Sequence, residues 1–288
     1  MNEFLANPPV LISVVFLLGL IVGSFLNVVI YRLPIMMQNQ WRAECCEFLQ
    51  QTDDNAPAEA FNLVTPNSTC PHCQHRIKPW ENIPVISYLF LRGKCANCKA
   101  PISIRYPLVE TLTGLLSALL AWQYSYDWQL LALLFFTWAL VSLTLIDIDH
   151  QLLPDAITLP LLWLGLLVNS QGIITDLHSA VIGAAAGYLS LWSVYWLFKL
   201  VTGKEGMGFG DFKLLAALGA WYGWQLLPLT ILCSALVGAV LGTIMLRLKG
   251  KGQSTPIPFG PYLAIAGWVA MLWGNEITQW YYQVARIQ

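Results

Sequence analysis

Apolar residues in this chain come in long blocks separated by short polar breaks. Blocks of about 20 residues match the helix length that crosses ~30 Å of hydrocarbon. They predict spanning helices near 10–31, 106–126, 129–147, 152–170, 177–201, 211–224, 226–247 and 260–281. The sixth is expected to be short and amphipathic. The pattern implies an all-α polytopic membrane protein with about eight transmembrane helices. One long polar stretch, about 32–105, interrupts it. Three parts follow: a first transmembrane helix within 1–31, a water-facing loop domain over 32–105, and a transmembrane core over 106–288. The run Val10–Ile30 is too long for a signal-peptide core, and Glu3 is the only charge before it, so it reads as a retained helix. No internal repeat or low-complexity segment is legible.

Composition sharpens this picture. Of 288 residues, 57% are hydrophobic and 11% charged, which excludes an ordinary soluble domain. The net charge of −1 gives no overall basic field, so nucleic acid is not an expected partner. The placement of the cations orients the chain. Eight of the 15 Lys and Arg lie within 32–105. Lys199, Lys204 and Lys213 flank the loop after the fifth predicted helix, and Arg247, Lys249 and Lys251 follow the seventh. Only Arg286 falls on the other side. The positive-inside rule makes the crowded side cytoplasmic, with both termini outside. Asn67-Ser68-Thr69 matches a glycosylation sequon, but this orientation puts it in the cytoplasm, as a chance match.

Four of the seven cysteines form two Cys-x-x-Cys pairs, Cys70/Cys73 and Cys95/Cys98, with 21 residues between them. Two such turns complete a tetrahedral thiolate site. Soft ligands in that geometry favour zinc over iron. Four protein ligands leave no open position, so the ion is expected to be structural, tying together a loop poor in apolar residues. His72 and His75 are nearby substitutes, and Cys45, Cys46 and Cys233 read as free thiols.

Two acids mark a second centre. Asp147 ends the apolar run Leu130–Ile146, and Asp211 follows Gly206-Met-Gly208-Phe-Gly210. Both are expected at the cytoplasmic membrane edge. Acids at such positions are costly and need a reason. Two carboxylates sharing a proton are the working group of aspartic proteases. The glycines before Asp211 suggest close backbone approach and unusual φ/ψ. Asp149 should point off the Asp147 face, because i and i+2 do not align on a helix. Asp155 is expected as an N-cap, and His150 as an interfacial residue.

With these residues in view, the chain resembles the bacterial type IV prepilin peptidases. The resemblance is carried by Gly-Ser-Phe-Leu-Asn-Val-Val-Ile-Tyr-Arg (23–32), the two cysteine pairs, Ile-Arg-Tyr-Pro-Leu-Val-Glu (104–110) and Ile-Asp-Ile-Asp-His-Gln-Leu-Leu-Pro-Asp (146–155). It continues through Gly-Met-Gly-Phe-Gly-Asp-Phe-Lys (206–213) and Pro-Phe-Gly-Pro-Tyr (258–262). The resemblance implies a bifunctional inner-membrane enzyme. Such an enzyme cleaves the basic leader of prepilins and pseudopilins, in pilus or type II secretion systems, after a glycine. It then N-methylates the new N-terminus, usually phenylalanine, with S-adenosylmethionine. The family's catalytic aspartates fall on Asp147 and Asp211. Its methylation function is associated with the loop and the start of the chain, where Gly23, Asn27, Tyr31, Arg32, Glu81 and Gly93 are candidates for binding the methyl donor. Gly23 reads equally as a helix-packing residue, and Tyr31 and Arg32 as interfacial anchors. Glu110, Asp149 and Asp155 are expected at the site mouth, attracting the basic leader.

Two other readings use the same features. A transporter or channel would use Asp147 and Asp211 as an ion relay, with Pro256–Pro261 as a helix break. A zinc-containing membrane scaffold would have no chemistry.

Overall fold

The computed structural model describes residues 7–51, 61–249 and 258–285. Glu3, Lys251, Pro256 and Arg286, used in the reading above, lie outside the described residues. The chain is helical: α1 Pro8–Phe48, α2 Ile86–Phe90, α3 Arg105–Gln123, α4 Trp128–His150, α5 Asp155–Ser170, α6 Leu177–Thr202, α7 Phe209–Tyr222, α8 Leu227–Lys249 and α9 Gly260–Ala285. A 3₁₀ turn spans Pro79–Asn82. Among the described residues three helices, α1, α4 and α6, are long and apolar enough to cross a membrane, by length and composition; Asp155–Ser170 and Leu227–Leu241 are shorter apolar stretches. Packing divides the chain into two compact units, 1–138 and 139–288.

In the first unit α1 packs along α3. Small residues let the two backbones approach. A Cβ on Gly19 would lie 2.9 Å from the Gly114 Cα, and one on Gly23 would lie 2.7 Å from the Glu110 Cα. The start of α4 joins them through Trp138, whose indole N–H donates to the Ser117 hydroxyl at 3.0 Å. α3 therefore packs with α1, whereas the sequence grouped it with the C-terminal helices. α1 itself continues to Phe48, well beyond its expected end at 31. Hydrophobicity falls after residue 31, but the helix does not end with it. The helix runs through Pro34, and residues 35–48, a mix of polar and apolar side chains, contain neither glycine nor a further proline, so helix continues beyond it.

The second unit is built around α7, which packs against α5, α6 and α9. Every residue from Asp211 to Tyr222 is buried except the half-buried Lys213. This corrects the amphipathic expectation: α7 is apolar around its circumference, the pattern of a core helix. Its 14 residues give a length of about 21 Å, short of the ~30 Å hydrocarbon layer. Asn169 fixes its C-terminal end. The amide of this buried side chain donates to Ala220 O and Trp221 O at 2.9 and 2.8 Å. Its oxygen accepts the Ile174 and Thr175 N–H groups. The Trp221 indole donates to Leu161 O at 2.9 Å and lies over Gly165.

Gly183 of α6 and Gly219 of α7 meet backbone to backbone, and a Cβ on either would enter the other's carbonyl. Gly187 faces Leu215 O in the same way. Replacing Gly183 or Gly219 with alanine should destabilise the protein by ~1–3 kcal/mol, the usual cost of overpacking. Thermal unfolding in detergent would read this as a lowered midpoint, and an unchanged midpoint would mean the contact is not tight.

Candidate active site and metal centre

Asp147 lies one turn from the C-terminus of α4, and Asp211 in the first turn of α7. Both are buried, at 5% and 8% exposure, and their carboxyl groups are near enough for their charges to repel. Each faces a helix N-terminus. The Gly260 N–H, at the start of α9, donates to Asp147 Oδ2 at 3.1 Å. Asp211 turns back toward Gly208, the residue capping α7. Free N–H groups and the positive end of the helix dipole make helix N-termini the natural place for a buried carboxylate.

The glycines of this region serve space rather than unusual backbone angles. Gly208 sits at φ −80°, ψ 149°, and among Gly206, Gly208 and Gly210 none is left-handed. A Cβ on Gly210 would lie 2.8 Å from Leu153 Cβ, and one on Gly206 would meet the Phe198 ring at 2.8 Å. A Cβ on Gly260 would stand 2.7 Å from Asp147 Oδ2. The close approaches at Gly206 and Gly210 are to neighbouring side chains, and the backbone angles are ordinary, whereas the sequence suggested unusual φ/ψ and approach by a peptide substrate.

The three acids expected at the site mouth separate. Glu110 is buried in the first unit, accepting the Val85 N–H at 2.7 Å. Asp155 is the first residue of α5, with Pro154 as its N-cap, and both its oxygens are taken by Lys213 Nζ at 2.7 Å. Asp149 is exposed, off the Asp147 face as expected.

The four loop cysteines converge. Their sulfurs all lie within 4.8 Å of one another, positioned to bind a metal ion. Cys70 to Cys98 and Cys73 to Cys95 measure 3.8 and 3.9 Å. Metal–sulfur bonds of about 2.3 Å in a tetrahedron put thiolates roughly 3.8 Å apart. Two turns of the same design build the site. Cys70 N–H donates to His75 O and Cys95 N–H to Ala100 O, at 2.9 and 2.8 Å. Bridges Thr69–Arg76 and Lys94–Pro101 close them. Gln74 and Lys99, each just after the second cysteine, take φ of 57° and 62°. All these pairs are offset by 25 positions, a structural repeat that the differing side chains hide.

Donation from the His75 amide brings the Cys73 thiol down to about 6, even without a metal. The Cys98 and Asn97 amides lower Cys95. At Cys98 the Ala100 amide pulls downward, but burial and the neighbouring thiols push it up to about 11. Two lowered thiols beside a raised one suit a cluster that shares its charge until a cation neutralises it.

The six methyl-donor candidates occupy separate settings. Gly23 lies in the α1–α3 contact, and Asn27 donates to Tyr106 O across it at 3.1 Å. Arg32 is buried, donating to Asn62 O and Pro66 O at 2.9 and 2.7 Å beneath the Phe61 ring. It ties the loop to α1, and interfacial anchoring does not describe it. Tyr31 is 63% exposed. Glu81 accepts the Lys78 N–H and pairs with His75; the amide leads in holding its carboxyl below the ordinary range. Gly93 has φ +66° and lies against the Tyr88 ring.

Comparison with known proteins decides the family. Residues 17–124 match the bacterial peptidase A24 N-terminal domain, and residues 134–243 match the type IV leader peptidase family. The chain is 63% identical over 286 residues to a prepilin leader peptidase/N-methyltransferase of Stutzerimonas stutzeri, covering 99% of both chains. The chain belongs to the type IV leader peptidase family. Relatives with the same name from Pseudomonas aeruginosa (61%, 98% of both chains) and Legionella pneumophila (49%, 97% of this chain and 98% of the relative) support the assignment. No solved structure matches.

Replacing Cys70 or Cys95 with serine should remove the bound metal from the purified protein. Metal analysis by mass spectrometry checks this, and hydrogen exchange over 68–102 should rise. A variant that keeps its metal would contradict the four-sulfur site.

Proposed function

We propose that this protein is an inner-membrane aspartic endopeptidase and N-methyltransferase, with Asp147 and Asp211 as its catalytic dyad. It cleaves the leader of type IV prepilins and pseudopilins and methylates the new N-terminus. The observation that carries the reading is the pair of carboxylates buried in one unit, close enough to repel, with Asp147 held by the Gly260 N–H at the head of α9.

One carboxylate takes a proton from a water molecule as its oxygen attacks the scissile carbonyl carbon. The other carboxyl gives a proton to the carbonyl oxygen, forming a tetrahedral diol. Collapse breaks the C–N bond, and the leaving nitrogen takes up a proton. Near charges that repel favour the singly protonated pair this step requires. Gly260 holds Asp147 by one oxygen, so the geometry of the dyad depends on a residue with no side chain.

The apolar helices lie in the membrane in this reading, with α7 enclosed among them rather than spanning alone, and the basic loops lie on the cytoplasmic side. The thiolate donor set favours zinc. With four protein ligands, zinc has no open position and supplies structure only. S-adenosylmethionine is the methyl donor, and the first unit carries its site. Tyr31 is the most open of the six candidate side chains.

Asp147→Asn and Asp211→Asn should each lower leader cleavage by at least ~10²-fold, the lower range for loss of an acid–base group. Both should still methylate a precleaved pilin when supplied with S-adenosylmethionine. Mass measurement of the product N-terminus reads both reactions, and normal cleavage by either variant would refute the dyad. Gly260→Ala should also reduce cleavage, by up to ~10²-fold if the carboxylate moves by ~1 Å. Undiminished kcat in a folded protein would show that the Gly260 contact does not matter.

A further inference from the structure

The loop that carries the cysteines also carries an apolar surface. Trp80, Ile83, Ile86, Leu89 and Phe90 are 64, 43, 48, 68 and 84% exposed. Trp80, Ile83, Ile86, Phe90 and Leu91, with Glu81 and Ser87, line a depression of about 330 Å³. Side chains of this kind gathered within twelve residues would be a liability facing water.

Their position is fixed from α3. Val85, between the 3₁₀ turn and α2, has φ +60°, a strained conformation for a β-branched residue. Its N–H donates to Glu110 Oε2 at 2.7 Å, and Glu110 is buried in the second turn of α3. α2 is thus pinned beside the first turns of a helix whose outer face is apolar. Leu108, Leu112 and Leu115 on that face are 58, 46 and 56% exposed. The apolar surface of the loop is thereby held near the first turns of α3, whose exposed leucines would face lipid if α3 spans the membrane.

Charge agrees. Arg76, Lys78, Arg92 and Lys94 flank the segment and are exposed, and the Lys78 ammonium sits 5.4 Å from the centre of the Trp80 ring. Exposed Trp, Phe and Leu between basic residues make up the composition of elements that lie in the membrane interface beside anionic headgroups.

We infer that Trp80–Leu91 is an in-plane membrane anchor, its apolar side chains sunk into the headgroup–acyl boundary and its cations on anionic lipid. Glu110 is the positioning residue that holds it there through Val85. The inference rests on the membrane reading of α3. The anchor would hold the metal-bearing loop against the bilayer surface, where a substrate with a lipid-embedded segment must present its leader.

The test uses the full-length protein in nanodiscs of phosphatidylethanolamine and phosphatidylglycerol doped with an acyl-chain diazirine lipid. After irradiation, label is mapped by proteolysis and mass spectrometry. The peptide 77–92 should carry several-fold more label than 43–76. The double variant Ile86→Asn, Phe90→Asn should lose most of that label while still cleaving prepilin. Label on 77–92 no higher than on 43–76 would overturn the anchor, provided that 106–123 is labelled. An unlabelled 106–123 would instead sink the membrane reading of α3. A third arm adds excess prepilin, and label on 77–92 should not change. Displacement of the label by prepilin would make the surface a peptide-docking face and would also overturn the proposal.

Discussion

Burying two carboxylates in an apolar protein is the constraint on which the second unit depends. An isolated buried carboxylate is prohibitively costly, and two neighbouring ones repel as well. Bringing each carboxylate to a helix N-terminus offsets that cost. Asp147, near the C-terminal end of its own helix, reaches the N–H of Gly260 at the head of α9. Asp211 turns back onto Gly208 at the head of its own helix. These contacts dictate much of the packing. α7 must be enclosed to bury Asp211, and it is enclosed by α5, α6 and α9. Its C-terminal end must not slide, and Asn169 and Trp221 hold it. Glycines line the closest approaches because a methyl group would fill the space that the carboxylate or the neighbouring backbone needs.

The first unit meets a different constraint. Its loop has few apolar residues to bury, so its order comes from points of attachment. Four sulfurs converge through two matching turns. Arg32 carries the segment 61–66 on two carbonyls, and Glu110 takes the amide of Val85. Each attachment uses a group whose burial would be unfavourable without its partner. Loss of one partner therefore costs more than the bond alone.

Much of this was legible in the sequence, where the residues themselves carry the physics. Apolar blocks located helices α3 to α9 to within a few residues, and the Cys-x-x-Cys spacing identified the ligand cluster. The acids at the ends of apolar runs marked Asp147 and Asp211. What was missed depends on partners distant in sequence. The end of α1 was misplaced because hydrophobicity, rather than propensity, was read as helix. α7 was expected to be amphipathic, yet it is surrounded on all sides. Asp155 and Glu110 looked like available surface acids, but Lys213 claims one and the Val85 amide the other. Gly260 gave no sign of contact with Asp147, which lies 113 residues away. The repeat between the two cysteine turns was hidden because it resides in hydrogen bonds and in the left-handed Gln74 and Lys99.

The central claim is that Asp147 and Asp211 act as one unit sharing a proton. The dependence of leader-cleavage kcat/KM on pH, measured in detergent with a purified prepilin, tests it most directly. A shared proton predicts a bell-shaped profile, with activity lost as the pair gains a second proton and again as it loses its only one. A profile governed by a single ionisation across the range in which the protein stays folded would contradict the account.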